Sequence, residues 1–328
     1  MNISFLGTGR AVPRRAVSSV DLDQKWQTGG RMAATGVNRR FYCTDETQID
    51  LATDACEQAL QNAQCRIEDI DLIISAASVP YQPIPAMAPL IMRSLGQADG
   101  STAAYDVNST CLSFVTGLDI AARMITGGAA QKALVVSSER ASRALPWAEF
   151  PETAALFGDG AAAVVLGASE AEADGIIKAV RLRSFPSAYE ACEIGAGGTR
   201  FDFDADRASF AEHSKFRMDG KALFRLTSQQ FSEFIDKLLD DAGWGHADVD
   251  LVVPHQASPV ALDHMIRQTP WPKEKIMRIV EDYGNQIAAS IPFAFDLARN
   301  EGRAPAGTKV LFLGTSAGVS IGGAALVV

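Results

Sequence analysis

Two stretches of this chain repeat one another. Ile49 to Pro80 reads IDLATDACEQALQNAQCRIEDIDLIISAASVP, and Phe224 to Pro259 reads FRLTSQQFSEFIDKLLDDAGWGHADVDLVVPHQASP. Each is an amphipathic helical pattern with apolar residues three and four apart, then a polar turn, then a strand that opens on Asp-Leu. Both strands are near-continuous apolar runs, the pattern of strands covered on both faces. The correspondence continues downstream. A helix is expected from Ala86 to Leu95 and another from Val260 to Gln268. The strands AAYDVNS and KIMRIVEDYG follow, then helices beginning near Cys111 and Asn285, then the closing strands KALVVSSE and KVLFLGTSAG. Strands alternating with helices imply βαβ units and mainly parallel, mixed sheets. The chain of 328 residues then divides into two pseudo-symmetric halves, 1–170 and 171–328, packed in five αβαβα layers. The segment from about Arg181 to Asp219 is polar and irregular, as expected of a cover over a cleft.

Three reactive side chains fall at strand-to-helix junctions of this plan. Cys111 follows Asn108, Ser109 and Thr110, which favour turns and helix N-caps, and it opens a very apolar helix. A thiol there faces free backbone N–H groups and the positive end of the helix dipole, and both favour thiolate. His255 lies where the buried strand LVVP ends. Asn285 precedes the second apolar helix. Taken singly, each has an ordinary reading: a packed cysteine, a hydrogen-bonded histidine, an N-cap asparagine. The repeat brings the Cys111 and Asn285 junctions into correspondence and puts His255 on the adjoining strand, so the three converge.

Composition removes several alternatives. The net charge of −9 argues against general nucleic-acid binding, which needs a basic footprint. The five cysteines show no CxxC pair and no clustering with histidine, so structural zinc is not expected. No run approaches the roughly 18–20 apolar residues of a membrane helix, and the N-terminus lacks a signal-peptide layout. A cytoplasmic location is expected. The Gly-Thr-Gly at residues 7–9 is too short for a dinucleotide fingerprint and reads as a turn.

With these residues in place, the sequence resembles the β-ketoacyl-acyl-carrier-protein synthase III family of thiolase-fold condensing enzymes. The resemblance spans nearly the whole chain. It is carried by STCLSF around Cys111, VPHQA around His255, GNQIAAS around Asn285, LFGDGAAAVVL from Leu156 to Leu166, and the terminal GTSAGVSIGGAALV. It implies that Cys111 takes an acyl group from an acyl-CoA or acyl-carrier thioester. The backbone N–H groups of Cys111 and Gly318 would form the oxyanion hole. His255 and Asn285 would donate to the thioester oxygen of a malonyl-carrier protein as it loses CO2. It implies no metal, nicotinamide or flavin, and a homodimer whose subunits lend each other a pocket cap, here Ile84. Ile84, Phe157, Gly220 and Ser258 are the implied substrate-binding positions. Arg225 and Arg267 are the expected basic docking points for an acidic acyl carrier protein.

Some family positions differ. The residues that would clamp the adenine of CoA correspond to Gly30 and Pro151, and the arginine before the TG turn is Ala34; Trp26 and Trp147 lie nearby. The capping phenylalanine corresponds to Ile84, and the residue two after Gln256 is Ser258. These differences imply a donor longer than acetyl and a role in specialised metabolism. Acyl transfer to an alcohol or amine, and a non-catalytic partner subunit, are the competing expectations.

Overall fold

The computed structural model describes residues 1–169 and 175–328, so the expected boundary near residue 170 lies outside the described residues. The first sheet draws on β1 (Ile3–Ala11), β4 (Leu72–Ser75), β5 (Ala103–Asp106), β6 (Lys132–Glu139) and β7 (Gly160–Ala168), in the order β1-β7-β6-β4-β5. Strands β2 (Arg15–Ser18) and β3 (Arg39–Tyr42) form a separate antiparallel pair. The second sheet is built from β8 (Ile176–Ser184), β11 (Leu251–Pro254), β12 (Lys309–Ser316) and β13 (Ser320–Val327), in the order β11-β12-β13-β8. The two-residue strands β9 (Cys192–Glu193) and β10 (Arg217–Met218) pair in the segment between the halves.

Five layers result. Helices Gln48–Asn62 and Met87–Ser94 cover the outer face of the first sheet, and Gly220–Ala242 and Pro259–Gln268 cover the outer face of the second. Helices Ser113–Thr126 and Ser290–Asn300 lie between the sheets, where Phe114, Ile291, Phe293 and Phe295 are almost wholly buried. This central layer sees apolar sheet on both sides, so each of its helices buries eight residues spread around much of its surface.

Both sheets are mixed. Strands joined through helices pair in parallel, as β4 does with β5 and β6, and β11 with β12. The hairpin-like partners β6–β7 and β12–β13, and the edges β1 and β8, are antiparallel. Antiparallel pairing is therefore more extensive than the βαβ pattern suggests.

The expected strand KIMRIVEDYG is a correction. Only the parallel bridge Val252↔Ile276 remains of it. The reason is Gln256, which is buried and takes over the role of a neighbouring strand. Its Oε1 accepts the N–H groups of Ile279 and Val280, and its Nε2 donates to the carbonyl of Met277. With those backbone groups already satisfied, the segment turns into the short helix Val280–Tyr283. Among the described residues no helix is long and apolar enough to cross a membrane.

Candidate active site

The Cys111 and Asn285 junctions meet at the centre of the molecule. Cys111 sits in the 3-10 turn Thr110–Leu112, just before the helix that starts at Ser113, and Asn285 precedes the 3-10 turn Ile287–Ala289, just before the helix that starts at Ser290. The two turns touch, and β12 packs against the Cys111 turn. His255 is drawn to the same place, because its N–H donates to the carbonyl of Leu313 in β12 (2.8 Å). Gly314 of β12 lies between them: a Cβ there would come within 3.0 Å of Leu112 and 3.1 Å of His255.

Within the junctions the residues correspond differently from the sequence expectation. Asn108 Oδ1 accepts from the N–H of Thr110 (2.9 Å), and Ser113 Oγ donates to the Thr110 carbonyl (2.6 Å). Asn285 Oδ1 accepts from the N–H of Ile287 (2.8 Å), and Ser290 Oγ donates to the Ile287 carbonyl (2.6 Å). Thr110 and Ile287 both have φ of +51°. The counterpart of Asn285 is thus Asn108, and the counterpart of Cys111 is Ala288. The junctions match, but the two catalytic candidates occupy different places in them. The positive φ at two β-branched residues is strained, and the asparagine and serine hydrogen bonds on either side hold it.

The ionisation of Cys111 also differs from the expectation. Burial pushes its thiol well above the usual range, and Cys192 and Glu139 push in the same direction. The backbone N–H groups of Ala317 and Cys111 itself pull the other way without overcoming this. A helix-end thiol that would be thiolate in the open is a thiol here, because desolvation outweighs two N–H groups. The terminal turn reaches this site through Thr110 Oγ1, which donates to the Ala317 carbonyl (3.3 Å); Gly318 is next in the chain, at φ +114°.

Burial of His255 lowers its pKa to about 4, so its ring is neutral at physiological pH. Nδ1 lies 2.7 Å from Ser290 Oγ, which fixes the ring and leaves the Nε2 edge for the site. Asn285 has a settled amide orientation. Its Oδ1 is taken by Ile287, one Nδ2 hydrogen goes to the Ala257 carbonyl (3.2 Å), and a second N–H remains.

The FGDG segment holds Asn285 from behind. Asn285 N–H donates to the Leu156 carbonyl (2.7 Å), and Gly158 N–H donates to the Asn285 carbonyl (3.1 Å). A Cβ on Gly158 would lie 2.2 Å from the carbonyl oxygen of Tyr283, so only glycine permits this approach. Asp159 is buried and accepts from the N–H groups of Cys43 and Ser142 and from Ser142 Oγ. Burial raises its pKa. Phe157 is buried and meets Phe216 of the covering segment edge-to-face at 5.0 Å.

The remaining expected positions are more peripheral. Ile84 is 87% exposed and so covers nothing in its own chain. Gly220 is exposed at the start of the Gly220–Ala242 helix. Ser258 caps the Pro259–Gln268 helix by accepting from the Ala261 N–H. Arg225 and Arg267 are exposed on these two neighbouring helices, which are joined by Ser228 Oγ and His264 Nε2 at 2.9 Å. Trp26 and Trp147 stack on each other, centroids 5.7 Å apart. Sequence reasoning missed Ser290, Glu139 and Gln256. Of these only Ser290 carries a signal, its identical place to Ser113 in the repeat.

Comparison with known proteins agrees with this geometry. The model of the 3-oxoacyl-[acyl-carrier-protein (ACP)] synthase III C-terminal domain matches residues 239–328, and that of 3-oxoacyl-[acyl-carrier-protein (ACP)] synthase III matches residues 105–184. Beta-ketoacyl-[acyl-carrier-protein] synthase III 3 of Streptomyces coelicolor is 35% identical over 98% of this chain and 95% of its own. The synthase III of Rhizorhabdus wittichii is 35% identical over 98% of each. The crystal structure of 3-oxoacyl-[acyl-carrier-protein] synthase III from Aquifex aeolicus superposes with a TM-score of 0.89 at 31% identity, covering 99% of this chain and 100% of that one. By sequence, fold and the residues gathered at its centre, the chain belongs to the β-ketoacyl-acyl-carrier-protein synthase III family of thiolase-fold condensing enzymes.

Proposed function

We propose that the protein carries out a decarboxylating Claisen condensation, and the observation that carries this is the meeting of the Cys111, His255 and Asn285 segments around β12. The Cys111 sulfur attacks an acyl thioester, the donor thiol leaves, and an acyl-cysteine remains. The backbone N–H groups of Cys111 and Gly318 hold the carbonyl oxygen as it becomes anionic. A malonyl-carrier thioester then enters, and its thioester oxygen accepts the free Asn285 N–H. When the Ser290 hydroxyl swings from the Ile287 carbonyl to Nδ1, the ring proton of neutral His255 lies on Nε2 and supplies a second hydrogen bond. As CO2 leaves, these donors stabilise the enolate, with each worth about 3–4 kcal/mol. The enolate carbon bonds to the acyl carbonyl, and Cys111 departs as thiolate and takes up one proton.

Donor preference follows from the surroundings. The Trp26–Trp147 stack is closed on itself, and Gly30 and Pro151 offer no aromatic or cationic surface for a nucleobase. Phe157 and Phe216 wall the acyl space, with Gly220 and Ser258 along the approach. An aliphatic Ile84 cap lent by a second subunit suits a chain longer than acetyl and a role in specialised metabolism. Pairing of two subunits is supported by β5, which ends its sheet beside the exposed Tyr81 and Ile84. Arg225 and Arg267 supply a basic docking face for an acidic carrier.

Intact mass after mixing with a panel of acyl-CoA and acyl-carrier donors, followed by CO2 release from malonyl-carrier protein, tests the reading. An acyl-sized mass gain absent in Cys111→Ala, with CO2 release that depends on it, is expected. Loading without CO2 release would favour transfer to an alcohol or amine, and no loading by any donor would favour a partner subunit.

A further inference from the structure

Strand β6 ends in an acid that the condensation scheme leaves unused. Glu139 is wholly buried, and no lysine or arginine forms an ion pair with it among the described residues. Its partners are backbone N–H groups instead. Ser78 donates to Oε1 (2.5 Å) and Val79 to Oε2 (3.3 Å), and the Ala288 N–H is directed at the same carboxyl. Ala288 belongs to the turn that follows Asn285. Ser78 leads to the other turn: Asn108 Nδ2 donates to the Ser78 carbonyl (2.8 Å), and Asn108 Oδ1 accepts from Thr110, the residue before Cys111. Gln48 Nε2 completes the arrangement by donating to the carbonyls of Val79 (2.9 Å) and Ser138 (2.6 Å).

One carboxyl therefore spans the two halves. The matching end of β12 carries Ser316, whose hydroxyl bonds only locally, to the Ala317 carbonyl. The acid is a feature of one half and serves both turns.

We propose that Glu139 is a positioning residue for the reaction, its carboxyl group tying the Cys111 turn and the Asn285 turn to the end of a single strand. Burial pushes its pKa up to about 8 against the pull of the three N–H groups, with Asp159 adding to the rise. Where the acid is ionised, above about pH 8, its charge disfavours thiolate at Cys111, a site also faced by Cys192. The carboxyl group thus sets the relative placement of nucleophile and amide donor and also the electrostatics of the thiol.

The proposal rests on the condensing activity for one of its readouts only. Three quantities are compared in the parent, Glu139→Gln and Glu139→Asp: alkylation of Cys111 between about pH 6 and 9, acyl loading by intact mass, and CO2 release from malonyl-carrier protein. A glutamine amide would direct N–H at N–H on one side of the clamp. CO2 release should fall roughly 10- to 100-fold, the cost of a misplacement of about 1 Å, while loading stays within about three-fold. Above about pH 8, where Glu139 is ionised in the parent, alkylation of Glu139→Gln should run ahead of the parent's, since the charge is gone. Glu139→Asp keeps charge and acceptors and should recover part of the CO2 release.

CO2 release within about two-fold of the parent, or loading and CO2 release falling together with the folded fraction, would overturn the proposal. If Glu139→Gln does not fold, Glu139→Asp decides by the same split between loading and CO2 release. If the parent releases no CO2 from any malonyl thioester, the proposed function fails. The alkylation profile then decides alone, a shift supporting the role of Glu139 and an unmoved profile overturning it.

Discussion

Asn108 and Asn285 are the same residue twice: each accepts, through Oδ1, the N–H of the residue two ahead, 2.9 Å for Thr110 and 2.8 Å for Ile287. Each holds a β-branched residue at φ +51°. One asparagine supports the turn that carries Cys111, and the other keeps a second Nδ2 hydrogen beyond the one given to the Ala257 carbonyl.

Alanine at these two positions should therefore separate the steps. Asn285→Ala is expected to leave acyl loading largely intact and reduce CO2 release by about 100-fold. Asn108→Ala is expected to slow loading itself, by about ten-fold, because the Cys111 turn is no longer held. Both should lower the melting temperature by about 2–4 °C, the size of one lost cap. Mass-spectrometric loading and CO2 release, measured on the same preparations, check the division.

Ser290 lies 2.7 Å from Nδ1 of His255, and its hydroxyl also reaches the Ile287 carbonyl. Ser290→Ala frees the ring and the turn together. CO2 release should drop by about ten-fold or more, and Ser290→Thr, which restores the hydroxyl, should recover part of it. Full activity in the alanine variant would remove the serine from the mechanism.

The direction of the pKa shifts sets the pH dependence. Burial depresses His255 from 6.5 to about 4, so the neutral ring's contribution to stability is complete above pH 6.5 and is lost as the pH falls towards 4. The acid limb of activity should accordingly lie well below the ordinary histidine value. The Cys111 thiol is shifted upward, so its alkylation should keep rising, by about ten-fold per unit, from pH 7 to 9 with no plateau. A plateau near neutrality would mean that the thiolate is stabilised after all.

Arg40 is wholly buried and donates to Ser19 Oγ (2.7 Å) and to the carbonyls of Ala155 (2.6 Å), Val17 and Val37 (both 3.4 Å). Ala155 immediately precedes the segment that grips Asn285. Arg40→Leu leaves these acceptors unpaired and should cost about 3 kcal/mol in chemical denaturation. It should also weaken CO2 release more than acyl loading.

Much of this was legible in the residues. The paired helix-and-strand segments predicted the layers, and the junctions and motifs singled out Cys111, His255 and Asn285, whose segments the fold brings together. What escaped was decided by contacts distant in sequence. Gln256 satisfies the backbone of residues 277–280 and so cancels a strand that the apolar run Ile276 to Val280 would otherwise form. Glu139 looks like any acid closing a strand until the fold brings Ser78 and Ala288 to it. The ionisation of Cys111 depends on how completely the covering segment excludes water, and no local pattern encodes that.

The Cys111 position recurs in the second half with Ala288 in it. A methyl group stands where the duplicated plan had room for another nucleophile. In the proposed condensation the frame is therefore built twice but reacts once: one copy of the turn would hold the acyl chain, and its twin would handle the incoming thioester. Such a division of labour would keep two thioesters apart, since the matched turns carry a thiol in one and a methyl group in the other.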